Sequence, residues 1–349
     1  MKPVRVLIVD DSLTMRRLIR LALSADPRID VVGEARDVMQ AKERMKELSP
    51  DVLTLDVEMP GVSGLDFLAE LMTTNPLPVI MVSTETHRGS AAAIEALAIG
   101  AIDCLGKPTD PSRIDAFRAL GDLVIVASQA KVVKKSAAAL PARKAGNTSF
   151  LWNGRYVLIG SSTGGVEALE RILNDFPKNC PPTVVVQHMP ESFLANFAQR
   201  LNGRLLPSVQ LATTGAPLLP GHVYLAPGGD THLTISGQRN SPVCTLIEGP
   251  KRSGHRPSID NLFDSAVFLG DYAVSVILTG MGRDGADGML RMRKAGTTCF
   301  AQDEKSSIVW GMPRAAHENG GAQRLIALNE MSDAILQACG RGAGRKSQA

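Results

Sequence analysis

The stretch VLIGSSTGGVEAL, Val157–Leu169, passes from an apolar run into small residues and glycines and then into a helix-like pattern. A strand that breaks into a helix across so short a turn predicts one unit of an open parallel α/β sheet. Such a turn has two chemical uses. Its backbone N–H groups can cradle a phosphate, or it can hold up a serine as a nucleophile. Ser161 and Ser162 both sit at the apex.

The next strand decides between them. A dinucleotide fold places an acidic residue about 20 positions on, at the end of its second strand, to bind ribose. Here that strand, PTVVVQHMP, ends in Gln187 and His188, with no carboxylate. Gly160 is followed only by Gly164 and Gly165, which misses the G-x-G-x-x-G spacing, and the Walker lysine is absent. Gly160-Ser161-Ser162-Thr163-Gly164 does satisfy G-x-S-x-G between a strand and a helix, centred on Ser162. The Thr163 N–H and the N-terminus of the following helix would then face a developing oxyanion.

A serine needs a base, and the base needs an orienting group. His188 ends the neighbouring strand at the same sheet edge. His222 and His232 lie in hairpin-like segments, His87 in the N-terminal half and His317 far downstream. For the third group, VSVILTGMGRDGADG offers Asp284 in a turn that tops another buried strand. Asp287 lies inside the following helix pattern, and Asp260 and Asp264 in a separate helical segment. Asp284 is the best placed, with helix capping as its alternative role. The order Ser…His…Asp differs from the Ser…Asp…His of α/β-hydrolases, so the constellation predicts an independent arrival at the triad.

Upstream, residues 1–120 alternate regularly. VRVLIVD, DVVGEA, DVLTLDV, PVIMVS and AIDCLGKP are strand-like, with helical patterns between them, which predicts a five-stranded parallel sheet. Between Leu123 and Trp152 the pattern degrades; the stretch KVVKKSAAALPARKAGNTS carries no acid, which predicts a mobile tether whose first part continues a helix from Ile114. The expected borders are a first domain over 1–122, a linker over 123–152, a second domain over 153–340 and a frayed tail over 341–349. The second domain reads as a larger doubly wound α/β sheet with an antiparallel hairpin insertion built from HVYLAP, HLTIS and CTLIE. Two cores fit a chain of 349 residues.

The net charge of +3 is spread as −4 over residues 1–120, +4 over 121–150 and +3 over the rest. With no basic stripe and no interleaved aromatics, nucleic-acid binding is not expected. The five cysteines are scattered and lack zinc or disulfide spacing. The first apolar run is too short for a secretion signal, and no run approaches the about 18 residues of a membrane span. A reducing cytoplasm, without membrane insertion, is the simplest home.

Open parallel sheets bind ligands at the carboxyl ends of their strands. In the first domain that edge gathers Asp10 and Asp11, Asp56, Ser83 and Lys107. Clustered carboxylates repel one another unless a cation sits among them, and hard oxygen donors suit Mg²⁺. Lys107 and Ser83 would meet the oxygens of a phosphoryl group. Helix capping accounts for Asp11 or Ser12 singly but not for the whole set.

Residues 1–120, through LIVDDS, LTLDVEMPGVSGLDFL, IMVST and GKP, resemble the response-regulator receiver domain, of flavodoxin-like fold. The resemblance implies that Asp56 accepts a phosphoryl group from a histidine kinase. It also implies that Asp11, with Asp10 and the backbone near Glu58, holds Mg²⁺, and that Ser83 and Lys107 sense the phosphate. Cys104 stands where receivers commonly carry an aromatic residue. In the second half IGSSTGGVEAL, VVVQHMP, YLAPGG, HRPSID, ILTGMGRDGADGM and GMPRAA resemble the CheB-type protein-glutamate methylesterases of bacterial chemotaxis. That resemblance implies Ser162 as nucleophile, His188 as base, Asp284 as its orienter and Met281 near the oxyanion, with no cofactor in this domain. Ser161 stands where Ala is usual, and Trp310 where Phe is usual. The implied substrates are γ-glutamyl methyl esters, and in addition glutamines, on methyl-accepting chemotaxis receptors. The implied regulation is a receiver that blocks the catalytic face until phosphorylated.

Overall fold

Val6, Leu7, Ile8 and Val9 are all 1% exposed or less. Four consecutive buried apolar residues in one strand are covered on both faces, which a parallel sheet under helices provides. It is β1 (Val4–Val9), followed by α1 (Leu13–Ser24), β2 (Ile29–Ala35), α2 (Val38–Leu48), β3 (Val52–Asp56) and α3 (Gly64–Thr74). Then come β4 (Val79–Ser83), α4 (His87–Ile99), β5 (Asp103–Gly106) and α5 (Arg118–Ser128). The computed structural model describes residues 2–83, 87–107, 117–130, 132 and 150–341. The chain divides into two units, Met1–Ala139 and Leu140–Ala349. In the first, five parallel strands run in the order β2-β1-β3-β4-β5. Side-chain caps start the helices where short polar residues interrupt the apolar pattern. Ser12 accepts from Met15 N–H, Asp37 from Gln40 N–H and Ser63 from Asp66 N–H.

The second unit opens with β6 (Tyr156–Ser161), α6 (Gly165–Asn174), β7 (Thr183–Gln187), α7 (Glu191–Arg204), β8 (Ser208–Leu211) and β9 (His222–Leu225). A hairpin follows, β10 (Thr231–Gln238) with β11 (Ser241–Glu248), then α8 (Ile259–Ser265) and a 3-10 turn at Val267–Tyr272. The unit ends with β12 (Ala273–Ile277), α9 (Ala286–Lys294), β13 (Thr298–Gln302), α10 (Met312–Glu318), β14 (Arg324–Ile326) and α11 (Leu328–Cys339). Seven parallel strands stand in the order β14-β13-β12-β6-β7-β9-β8. The chain moves from β6 toward β8 and later from β12 toward β14. The order therefore reverses between β6 and β12, and the crevice at their carboxyl ends is where such sheets bind ligands.

The sheet corrects one expectation. HVYL is β9, parallel to β7 and β8 within the main sheet, and only the other two segments form the antiparallel hairpin. A four-residue apolar strand carries no signal of its partner's direction, and β8 and β14 were too short and polar to stand out at all. The expected borders also move. Position 122 falls inside α5, whose Val124 and Ala127 are fully buried and which packs against α1 and β1. The apolar run LVIVA is a core face of the first unit. At the other end Trp152 belongs to the second unit. Its indole N–H donates to Arg155 O at 2.6 Å, and its ring meets Tyr156 edge-on at 5.5 Å. Of the expected linker over 123–152, residues 131 and 133–149 lie outside the described residues, as do residues 342–349 of the expected tail over 341–349.

Candidate active sites

β6 and β7 pair in parallel with Ser161 opposite Gln187, so Ser162 and His188 leave the sheet side by side. His188 N–H donates to Ser161 O at 3.0 Å, which extends the ladder one step past the strand ends. Ser161 is fully buried, and its hydroxyl donates to Gln187 Oε1 at 2.6 Å. The Gln187 amide in turn donates to Ser162 O at 2.9 Å and to His188 O at 3.1 Å. One buried side chain thus ties down the backbone of both neighbours. Ser161 points into the core, away from any reactant, and Ser162 is the serine at the bend, 8% exposed.

β12 supplies the other wall. Ser162 N–H donates to Thr279 O at 3.1 Å, and Thr279 Oγ1 lies 3.0 Å from Thr163 O while accepting from Val309 N–H at 2.9 Å. A Cβ built on Gly280 would lie 2.7 Å from Ser162 Cβ and 2.6 Å from Met312 Sδ, so only glycine allows this approach. Gly164, at φ 77°, makes the left-handed turn that starts α6 directly after the bend. Met281 follows Gly280 and is partly exposed. Trp310 donates its indole N–H to Gln302 O, while Gln302 Oε1 accepts from Thr279 N–H.

His188 Nε2 lies 2.9 Å from Asp284 Oδ2, with the His188 side chain 5% and the Asp284 side chain 1% exposed. Asp284 also accepts from Ser258 Oγ at 2.8 Å, Ile259 N–H at 2.7 Å and Asp260 N–H at 3.1 Å. A carboxylate that accepts four donors is held ionised. Burial alone would raise its pKa, but the His188 contact and the Ile259 and Ser258 donors outweigh it and bring it to about 2. Asp284 therefore accepts the Nε2 proton, which fixes the tautomer and leaves Nδ1 as the basic nitrogen. His188 Nδ1 is buried and has no hydrogen-bond partner among the described residues. Asp284 also fulfils its alternative role, because its extra donors are the first N–H groups of α8. Fully buried Ile259, Leu262 and Phe263 pin that helix, at about 1.5–3 kcal/mol per side chain.

The remaining candidates fall elsewhere. Asp260 accepts from Gly288 N–H, Asp264 pairs with Arg252 and Arg291, and Asp287 pairs with Arg283. His232 is buried, accepting from Ser258 N–H on Nδ1 and facing Pro250 O with Nε2. His222 is held to Pro220 O. His255, which the sequence reading passed over, stacks on His188 with ring centroids 3.7 Å apart and planes 6° apart. Burial first, and the adjoining His188 and Lys251 after it, push His255 down to about 4 against an opposing pull from Asp284. The signal available was the histidine opening HRPSID.

In the first unit, Lys107 Nζ bridges Asp10 Oδ2 at 2.9 Å and Asp56 Oδ2 at 2.7 Å. Oxygens of Asp10, Asp11 and Asp56 lie within 4.8 Å of one another. Asp56 also accepts from Glu58 N–H at 3.3 Å, and Lys107 N–H donates to Ser83 O at 2.6 Å. Burial, aided by the charge of Asp10 and opposed by Lys107, raises Asp56 to about 6. Burial likewise raises Asp10, with Lys107 opposing. Two buried carboxylates and an exposed third, with one ammonium between them, make an oxygen-donor set short of positive charge, which fits Mg²⁺. Cys104 is buried within β5.

Residues 157–335 match the CheB methylesterase family, and residues 6–117 match the response regulator receiver domain. The chain is 51% identical over 336 residues to protein-glutamate methylesterase/protein-glutamine glutaminase 1 of Rhizobium johnstonii, covering 96% of each chain. It is 50% identical over 343 residues to the protein of the same name from Caulobacter vibrioides, covering 96% of this chain and 98% of that one. The CheB methylesterase catalytic domain of Thermotoga maritima matches with a TM-score of 0.51 at 36% identity, over 53% of this chain and 98% of that one.

Proposed function

The chain belongs to the CheB methylesterase family and carries a response regulator receiver domain, and on that premise we propose that Ser162, His188 and Asp284 are its hydrolytic triad and Asp56 its phosphoryl acceptor. The reaction is hydrolysis of protein-bound glutamate γ-methyl esters, with deamidation of glutamine through the same intermediate. One observation carries the triad: Asp284 engages His188 Nε2 and leaves a buried Nδ1 without a partner among the described residues, on the residue that ends the strand paired with that of Ser162.

Ser162 Oγ attacks the ester carbonyl as His188 Nδ1 takes its proton. Thr163 and Met281 flank the site where the carbonyl oxygen gains charge, and their backbone N–H groups are the proposed donors to it. The tetrahedral intermediate collapses, the imidazolium returns the proton to the leaving methoxide, and methanol departs. Water then adds to the acyl-serine with the same nitrogen as base, releasing glutamate and restoring the Ser162 hydroxyl. With a glutamine substrate the leaving group is ammonia.

In the receiver, Asp10, Asp11 and Asp56 would hold Mg²⁺, whose charge offsets repulsion between carboxylate and phosphoryl oxygens. The Asp56 carboxylate attacks the phosphoryl group, and Lys107 and Ser83 meet its oxygens. The proposed donor is a histidine kinase, the substrates are cytoplasmic segments of methyl-accepting chemotaxis receptors, and the protein works in the cytoplasm. Among the described residues no helix is long and apolar enough to cross a membrane. Phosphorylation raises hydrolysis, and a coupling of about 1–3 kcal/mol gives roughly a 5- to 150-fold change. The test is methanol release from methylated receptor membranes by the full chain. Release that survives His188→Gln at more than a few per cent of the original rate would refute the triad.

A further inference from the structure

His188 is gripped at one edge by Asp284, which fixes its tautomer, but one hydrogen bond leaves the ring free to swing about that edge. The His255 ring lies flat against it, parallel within 6° with centroids 3.7 Å apart. His255 is itself built in firmly. Reciprocal hydrogen bonds between Arg252 and His255, 3.0 and 2.9 Å, close a two-residue turn at Ser253 and Gly254, both at positive φ as a type I′ turn requires. Arg252 anchors one side of the turn on Asn261 and Asp264. Arg256 anchors the other on Gly229 O, Gly249 O and Asp230. Such support exceeds what covering a surface needs.

We propose that His255 is a positioning residue for hydrolysis: its stacked ring fixes the plane of His188 and offers an uncharged aromatic face to the imidazolium formed there. The inference rests on the reading of His188 as the base. Each turnover makes His188 cationic, and the face of an aromatic ring attracts a cation most strongly where water is excluded. A charged neighbour at this distance would repel it instead, and burial keeps His255 neutral at working pH. The charged and titratable groups around the pair are Asp284 on Nε2, Asp260 beside Asp284, and Lys251 on the loop of His255.

The test compares His255→Phe with His255→Leu in the full-length protein, measuring kcat and KM for methanol release from pH 5 to 9 and the unfolding midpoint of each variant. Phe keeps an aromatic face and Leu does not. The expected result is a kcat loss of about 10-fold or more in the Leu variant and no more than about 3-fold in the Phe variant, with KM nearly constant. The acidic limb of kcat moves roughly half a unit to one unit lower in the Leu variant, because the imidazolium has lost its stabilising face. If the Leu variant does not fold, His255→Met replaces it. Folded Phe and Leu variants with equal kcat and superposed acidic limbs would overturn the proposal. A His188→Gln variant run alongside separates the two ideas. Its inactivity, with the Leu variant fully active, removes only the stack, whereas its retained activity removes the triad as well.

Discussion

Replacing Asp284 with Asn separates the two duties this residue carries. The wild-type carboxylate accepts from Ser258 Oγ and Asp260 N–H on Oδ1, and from Ile259 N–H and His188 Nε2 on Oδ2. An amide has one accepting oxygen, so either orientation sets its NH₂ group against a buried backbone N–H of α8. Leaving such a donor unpaired costs about 1–3 kcal/mol. With the NH₂ group at the Oδ2 position, Asn donates to His188 Nε2, which drives the proton to Nδ1 and blocks the base. With the oxygen there, the tautomer survives but the charge that supports the imidazolium is gone. The expected outcome is a fall in kcat of about 10²–10⁴-fold, with KM little changed and unfolding free energy lower by about 1–3 kcal/mol. Methanol release and urea unfolding of the same preparation measure both. Ser258→Ala is the companion, since it removes one donor to Oδ1 and the N-cap of α8 but leaves the His188 contact. It should cost about 0.5–2 kcal/mol of stability and less than 10-fold in kcat. An Asn variant that loses stability yet keeps kcat within 3-fold would show that Asp284 is only a helix cap.

Three further outcomes follow from the geometry. Because His255 sits near 4 in the fold against an ordinary 6.5, the unfolded chain takes up its proton first as pH falls. Stability therefore drops between about pH 6.5 and 4, by at most about 3 kcal/mol, and His255→Phe should flatten that part of the unfolding profile. Gly280→Ala pushes a methyl group toward Ser162 Cβ and Met312 Sδ. It should destabilise by about 1–3 kcal/mol and lower kcat more than its loss of folded protein explains, read by thermal unfolding beside activity. Asp56→Asn should leave basal methanol release in place while abolishing the rise produced by a small-molecule phosphodonor with Mg²⁺. A full rise in that variant would place the phosphoryl group elsewhere.

The parts legible in the sequence were those encoded by local pattern. Val6–Val9 and Val157–Ile159 are unbroken apolar runs ending in polar residues, so strand, edge and candidate side chain were read together. The same logic brought Asp10, Asp56 and Lys107 to one edge before any distance was known. The bond that ties Ser161 to Gln187 joins neighbouring strands and left no mark in the local pattern. What stayed hidden depends on contacts between distant segments. β9 differs from a hairpin strand only in its partners, and α5 borrowed its apolar face from what looked like a linker. The stack of His255 on His188 joins two loops 67 positions apart, and no period or spacing encodes it.

The central claim, that Ser162 is the nucleophile, is tested most directly by methanol release from methylated receptors with Ser161→Ala and Ser162→Ala side by side. The buried Ser161 hydroxyl only orients Gln187, so its loss should cost less than about 10-fold. Loss of Ser162 should remove about 10³-fold or more of the rate with folding intact. Retained release in Ser162→Ala, or the reverse order of the two losses, would contradict the account.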